Sequence, residues 1–143
     1  MLARLLSTRP LQIDLGLLVL RLGVGVSMLV FHGWGKIAGG PEKWTGLGGS
    51  MANLGLDFAP VVWGFLAAFA ECVGSALLAI GFLFRPAAAM LALTMVVAVM
   101  HHLSMPAGQP GAGWSGASHA LELLAVYVAL LLTGPGRIAP YRS

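Results

Sequence analysis

The sequence predicts an all-α fold, an integral membrane four-helix bundle, and three observations carry that prediction. First, the chain of 143 residues is 58% hydrophobic and only 9% charged, against about 45–50% and about 25% in soluble domains. Second, its mean hydropathy is +0.88, and eight basic and five acidic side chains are too few to cover so apolar a fold in water, which makes lipid the solvent for much of the exterior. Third, glycine and proline cut the chain into apolar runs of the roughly 20 residues that cross a hydrocarbon core. The length suits a single domain over 1–143 with four spans and hardly more.

Span one is expected from about Ile13 to Lys36. Its apolar stretch continues to Phe31 with no A-x-A-like cleavage site, so it reads as a retained anchor and not as a cleaved signal peptide. A glycine-rich connection from Ala38 to Ala59 follows, with Trp44, Leu47, Met51 and Leu54 at intervals of three or four, the spacing of a short interfacial helix or re-entrant cap. Gly46, Gly48 and Gly49 are not a phosphate loop, because no strand precedes them and no Gly-Lys-Ser/Thr follows. Span two is expected from Pro60 to Phe84 and span three from Pro86 to Leu103, with both prolines in first turns, where a missing N–H costs nothing. The Ser104–Ala117 connection carries Pro106, Pro110, four glycines, Trp114 and no charge, which reads as a lid at the interface or a plain linker. Span four is expected from Ser118 to Thr133, stopped by Gly134-Pro135-Gly136. Runs of this length exceed buried strands, and a barrel would need alternating polarity.

The net charge of +3 comes from scattered basic residues without a run, which argues against a nucleic-acid partner and for a role in topology. Arg4, Arg9, Arg85, Arg137 and Arg142 fall on one side of the expected spans, and Lys36 and Lys43 on the other. The positive-inside rule then puts both termini in the cytoplasm of a multi-pass cell (inner) membrane protein. The single cysteine, Cys72, excludes an intramolecular disulfide and a paired-thiol relay built from this chain alone.

Ionisable groups inside a span cost about 2.5–3.5 kcal/mol each on insertion scales, so each needs a partner or a task. Arg21 lies roughly 12 Å from one side and Glu71 roughly 17 Å from the other by helical rise, and the expectation is that they pair. Arg21, Gly25, Met28 and His32 recur at four, three and four residues, one helix face, with Lys36 a turn farther. His32, Lys36, one of His101 and His102, His119 and Glu122 are expected at one depth, lining a pocket beneath the glycine-rich loops. His119 and Glu122, three apart, share a face. Metal binding is the weaker reading of this set, because Lys36 repels a cation and no i, i+4 histidine pair exists. Met90, Met95, Met100 and Met105 recur at five-residue intervals, off any one helix face, and read as packing or flexible lining.

Arg21-Leu22-Gly23, His32-Gly33-Trp34 with Lys36, Glu71-Cys72-Val73-Gly74, Gly81-Phe82-Leu83-Phe84-Arg85, His102, Glu122 and the closing Leu132-Thr133-Gly134-Pro135-Gly136-Arg137 together resemble the DoxX family of small four-helix membrane proteins. The resemblance spans nearly the whole chain and implies fold more firmly than activity. It implies a membrane subunit of a redox system, binding a quinone or similar small redox molecule within the bundle. On that reading Arg21, His32, Lys36 and His102 hold the molecule and Glu71, His119 and Glu122 move protons. A soluble or membrane redox partner protein, or assembly as a homo-oligomer, goes with it. The alternative is a non-catalytic membrane partner or assembly factor whose buried charges only specify packing. A small-molecule transporter is weaker still, since one bundle of this size needs an oligomer for alternating access.

Overall fold

The computed structural model describes residues 12–140, and all regular structure among them is helical. Four helices are long and apolar enough to cross a membrane: α1 Ile13–Ile37, α3 Pro60–Ile80, α4 Phe84–Ser104 and α5 Gly113–Thr133. Between α1 and α3 lies the short α2, Gly40–Gly48, continued by a 3₁₀ turn at Gly49–Leu54. The chain is thus an all-α, multi-pass membrane bundle. Arg4, Arg9 and Arg142, which weigh in the topology reading, lie outside the described residues.

Pro60 opens α3 as expected, but α3 stops at Ile80, four residues before the expected Phe84. Gly81 takes a left-handed conformation (φ 78°) and caps it. α4 begins at Phe84 and not at Pro86, leaving the proline inside the first turn, where its missing N–H is harmless. α5 begins at Gly113, five residues before Ser118. The reason lies in Gly116, which has no Cβ and lets the Gly111 carbonyl close on the first turn.

Small residues fix how the first half of the chain packs. A Cβ on Gly25 would sit 2.9 Å from both the Ala79 Cβ and the Ser75 carbonyl oxygen, and Gly33 faces the Glu71–Cys72 peptide. Farther along, Gly64 lies against the Trp44 carbonyl and Gly48 against the Pro60 carbonyl. Backbones approach this closely only where side chains are absent. The pairs 25 with 79, 33 with 71, 44 with 64 and 48 with 60 run antiparallel in order, so α1 covers one half of α3 and α2 covers the other. The short helix between the first two spans is therefore a cap folded back along α3. At its joint with α1, side chains of α2 bond two carbonyls of the last turn: Lys43 Nζ donates to Gly35 O at 2.8 Å, and Trp44 Nε1 donates to Lys36 O at 3.0 Å beside the Gly39 N–H.

α4 and α5 pack along each other through the main apolar core, which includes Leu91, Met95, Ala117, Ala120, Tyr127 and Leu130. Of the spaced methionines only Met95 is fully buried, while Met90 reaches Gly74 with its methyl. At the Arg85 end, residues 134–140 fold back beneath α1 and α3. Arg137 N–H donates to Asp14 Oδ1 at 2.8 Å, and Ala139 covers Gly81.

Candidate functional site

α1 and α3 each contain one π turn, at Leu29–Gly33 and at Ala70–Gly74, and the two face each other. Each takes an extra residue into one turn, and the consequence in α1 is a shift of face. Arg21, Gly25 and Met28 are buried as their spacing requires, but the next buried position is Gly33, five residues on, and His32 is exposed. The expected continuation of the stripe to His32 is corrected by that one-residue insertion.

Past the π turn, Lys36 reaches the other π turn. Its Nζ lies 2.7 Å from Glu71 Oε1 and 2.6 Å from Oε2, and the carboxylate side chain is 4% exposed. Glu71 sits near the midpoint of α3, so Lys36 belongs to the middle of the bundle and not to the edge of the loop side. The expected Arg21–Glu71 pair does not form. Arg21, 3% exposed, donates from Nη1 to the Pro135 carbonyl at 3.1 Å and from Nη2 to the Ile138 carbonyl. It clamps the returning tail to α1, which leaves Glu71 to Lys36. Among the described residues Lys36–Glu71 is the only salt bridge.

The expected outer cluster separates into three groups. Lys36 is committed to Glu71. His32 and His119 bring α1 and α5 together, ring centroids 6.0 Å apart, both exposed on the flank of the bundle. Glu122, one turn along α5 from His119, is exposed as well. The third group holds the loops: His102 Nδ1 is 2.7 Å from the Gly111 carbonyl oxygen and His101 Nδ1 is 3.2 Å from Ser50 Oγ. Of these two, His102 is the half-buried one. The loop after α4 does form a shallow concavity, lined by Leu103, Met105, Gln109 and Pro110 and by none of the candidate residues. Among the described residues no three His, Cys, Asp or Glu side chains converge as a metal-ligand set.

Two buried polar residues escaped the reading of the sequence. Ser75 and Tyr127 are both 0% exposed, and neither the Ser75 Oγ nor the Tyr127 hydroxyl has a hydrogen-bond partner. Ser75 lies one turn from Glu71 on α3. A serine four residues after the span's one acid was a legible signal for the first. Nothing in the sequence distinguished Tyr127 from an interfacial aromatic.

Four apolar spans, a capping helix and a carboxylate–ammonium pair held between two π turns define a small polytopic membrane bundle with a polar centre. The DoxX family model matches residues 16–103, more than half of the chain, and the protein belongs to the DoxX family. The match includes Lys36 and Glu71 and ends before α5. Comparison with curated proteins and with solved structures gives no match.

Proposed function

We propose that this protein is the membrane subunit of a redox system and takes a quinone-like molecule from the bilayer at the seam between α1 and α5. The observation that carries this reading is the pair of imidazoles, His32 and His119, facing each other across the seam on the exposed flank, with Glu122 one turn away. Ionisable side chains directed at hydrocarbon are costly and mark sites of function. Imidazole N–H groups are suited to donate to the carbonyl oxygens of a quinone ring that diffuses in lipid, and Glu122 is placed to take or return a proton. Lys36 and Glu71 supply a charged centre behind the seam. Arg21 and His102 hold backbone carbonyls at the two ends and are left out of the ligand set.

A short-chain ubiquinone analogue titrated into the detergent-purified protein should quench tryptophan fluorescence saturably, since Trp34 is exposed two residues from His32. His119→Ala and Glu122→Gln should weaken that binding at least tenfold, about 1.4 kcal/mol, with unchanged helix content. Absence of saturable quenching, or equal affinity in both variants, would reject the reading. One observation favours the alternative of a non-catalytic membrane partner: the same exposed flank is a face that another membrane protein could cover. In that case the variants would lose a co-purifying protein and leave quinone titration flat throughout.

We also infer that both termini are cytoplasmic. With Lys36 inside the bundle, Lys43 is the one basic residue left on the loop side, against Arg4, Arg9, Arg85, Arg137 and Arg142 opposite. A reporter that works only in the cytoplasm, fused after Ser143, should be active; an inactive fusion beside an active periplasmic one would reverse the topology.

A further inference from the structure

We propose that residues 134–140 form a releasable strap over Arg21, and that an anionic phosphate group takes the Arg21 guanidinium when the strap lifts. The strap is built unlike the rest of the protein. It contains no helical turn, and from Pro135 to Pro140 it makes no backbone–backbone hydrogen bond with the described residues. None of its side chains belongs to the main apolar core, and Ile138, its largest apolar one, is 47% exposed. Most of its anchors lie on α1. Asp14 Oδ1 accepts the Arg137 N–H at 2.8 Å, a Cβ on Gly136 would meet the Leu17 side chain at 3.4 Å, and Arg21 holds the carbonyls of Pro135 and Ile138. Asp14, Leu17 and Arg21 follow at three and four residues, one face of the helix. Beyond α1 the strap touches Gly81 through Ala139. A segment held this way opens by itself, because lifting it breaks a few side-chain bonds and uncovers none of the core.

What lifting uncovers is a cation without an anion. Arg21 is 3% exposed, no carboxylate pairs with it among the described residues, and its Nε–H is buried with no acceptor. The strap's carbonyls serve two nitrogens of the guanidinium and neutralise none of its charge, which is costly to keep buried unpaired. Phosphate oxygens accept the guanidinium fork bidentately and cancel the charge as well. Strap and phosphate are therefore competing occupants of one side chain, and an anion that binds only the open form shifts the population toward it. The membrane supplies this chemistry close by. Arg21 lies eight residues from the start of α1 at Ile13, and a long basic side chain near a span's end extends along its stem to the headgroups. The inference stands apart from the quinone reading, which uses the other end of α1.

Trypsin reads the strap on the full chain. Cleavage after Arg137 needs that segment extended in the protease, whereas the closed strap has the Arg137 N–H and the Ile138 carbonyl both engaged. Release of peptide 138–142 is followed by mass in three settings: phosphatidylcholine nanodiscs, the same discs with phosphatidylglycerol, and phosphatidylcholine discs with inorganic phosphate added. Release should be slow in the first and about tenfold faster in one of the other two, since cleavage follows the population of the open form. The phosphatidylglycerol arm marks a lipid headgroup as the source, the inorganic arm a free phosphate. Arg21→Leu should be cut fast in all three settings alike. Asp14→Ala loosens the strap and leaves Arg21 in place, so it should speed release in phosphatidylcholine and keep the response to phosphate. Equal parent rates in the three settings, or the same acceleration in Arg21→Leu, overturn the anion site. A parent cut as fast as Arg21→Leu in phosphatidylcholine overturns the strap; if Arg21→Leu does not survive purification, Asp14→Ala cut at the parent's rate does so by itself.

Discussion

Lys36→Leu is expected to cost about 3–5 kcal/mol, the range found when one partner of a buried ion pair is removed. The physical source is the group left behind. Glu71, 4% exposed beside the Gly33 backbone, would keep an unpaired charge in the bundle or be forced to take a proton. The double change Lys36→Leu with Glu71→Gln removes the charge as well and should recover most of the loss. Thermal unfolding in detergent reads both. An equal melting temperature for the single and double variants would show that the two side chains are not coupled. The companion change Arg21→Leu distinguishes this pair from the one expected from depth alone: combined with Glu71→Gln it should give no rescue, because Arg21 holds the carbonyls of Pro135 and Ile138.

Gly33→Ala is expected to be nearly as damaging, although it adds a single methyl group. That methyl would fall on the peptide joining Glu71 to Cys72, with the Cys72 nitrogen 2.6 Å away and the Glu71 carbonyl oxygen nearer. Both neighbours are backbone and cannot rotate aside, so α1 and α3 must part along their π turns. Overpacking costs typically about 1–3 kcal/mol, occasionally more, and this contact belongs at the upper end. Parting the helices also lengthens Lys36–Glu71, so Gly33→Ala and Lys36→Leu should be less than additive. Gly23→Ala is the control, since a Cβ there meets nothing within 4 Å, and it should melt within about 0.5 kcal/mol of the parent. If Gly33→Ala melts like Gly23→Ala, the two π turns are not in contact.

Much of the architecture was legible because its signals are one-dimensional. Apolar run length gave four spans, Pro60 marked a first turn, and Gly134 marked a stop. The spacing of Trp44, Leu47, Met51 and Leu54 announced a short helix. The site was legible only as an inventory. Glu71 and Lys36 stood out as charges in apolar surroundings, but a constant period of 3.6 residues could not place them opposite each other.

The sequence by itself determined the solvent, the number of crossings and which charges required partners, because hydropathy and chain length act locally and additively. Tertiary structure decided who pairs with whom. Depth counted along ideal helices matched Arg21 to Glu71, and three non-local features undid that match. The tail returned to occupy Arg21, the π turn at Leu29–Gly33 exchanged His32 for Gly33 on the buried face, and the joint after Ile37 let α2 take over the far half of α3. The first rests on Arg21 bonding the carbonyls of Pro135 and Ile138, and the other two on backbone contact between segments distant in the chain, at Gly33, Gly48 and Gly64. Close approach between two backbones depends on both surfaces at once, so neither segment's own pattern specifies it.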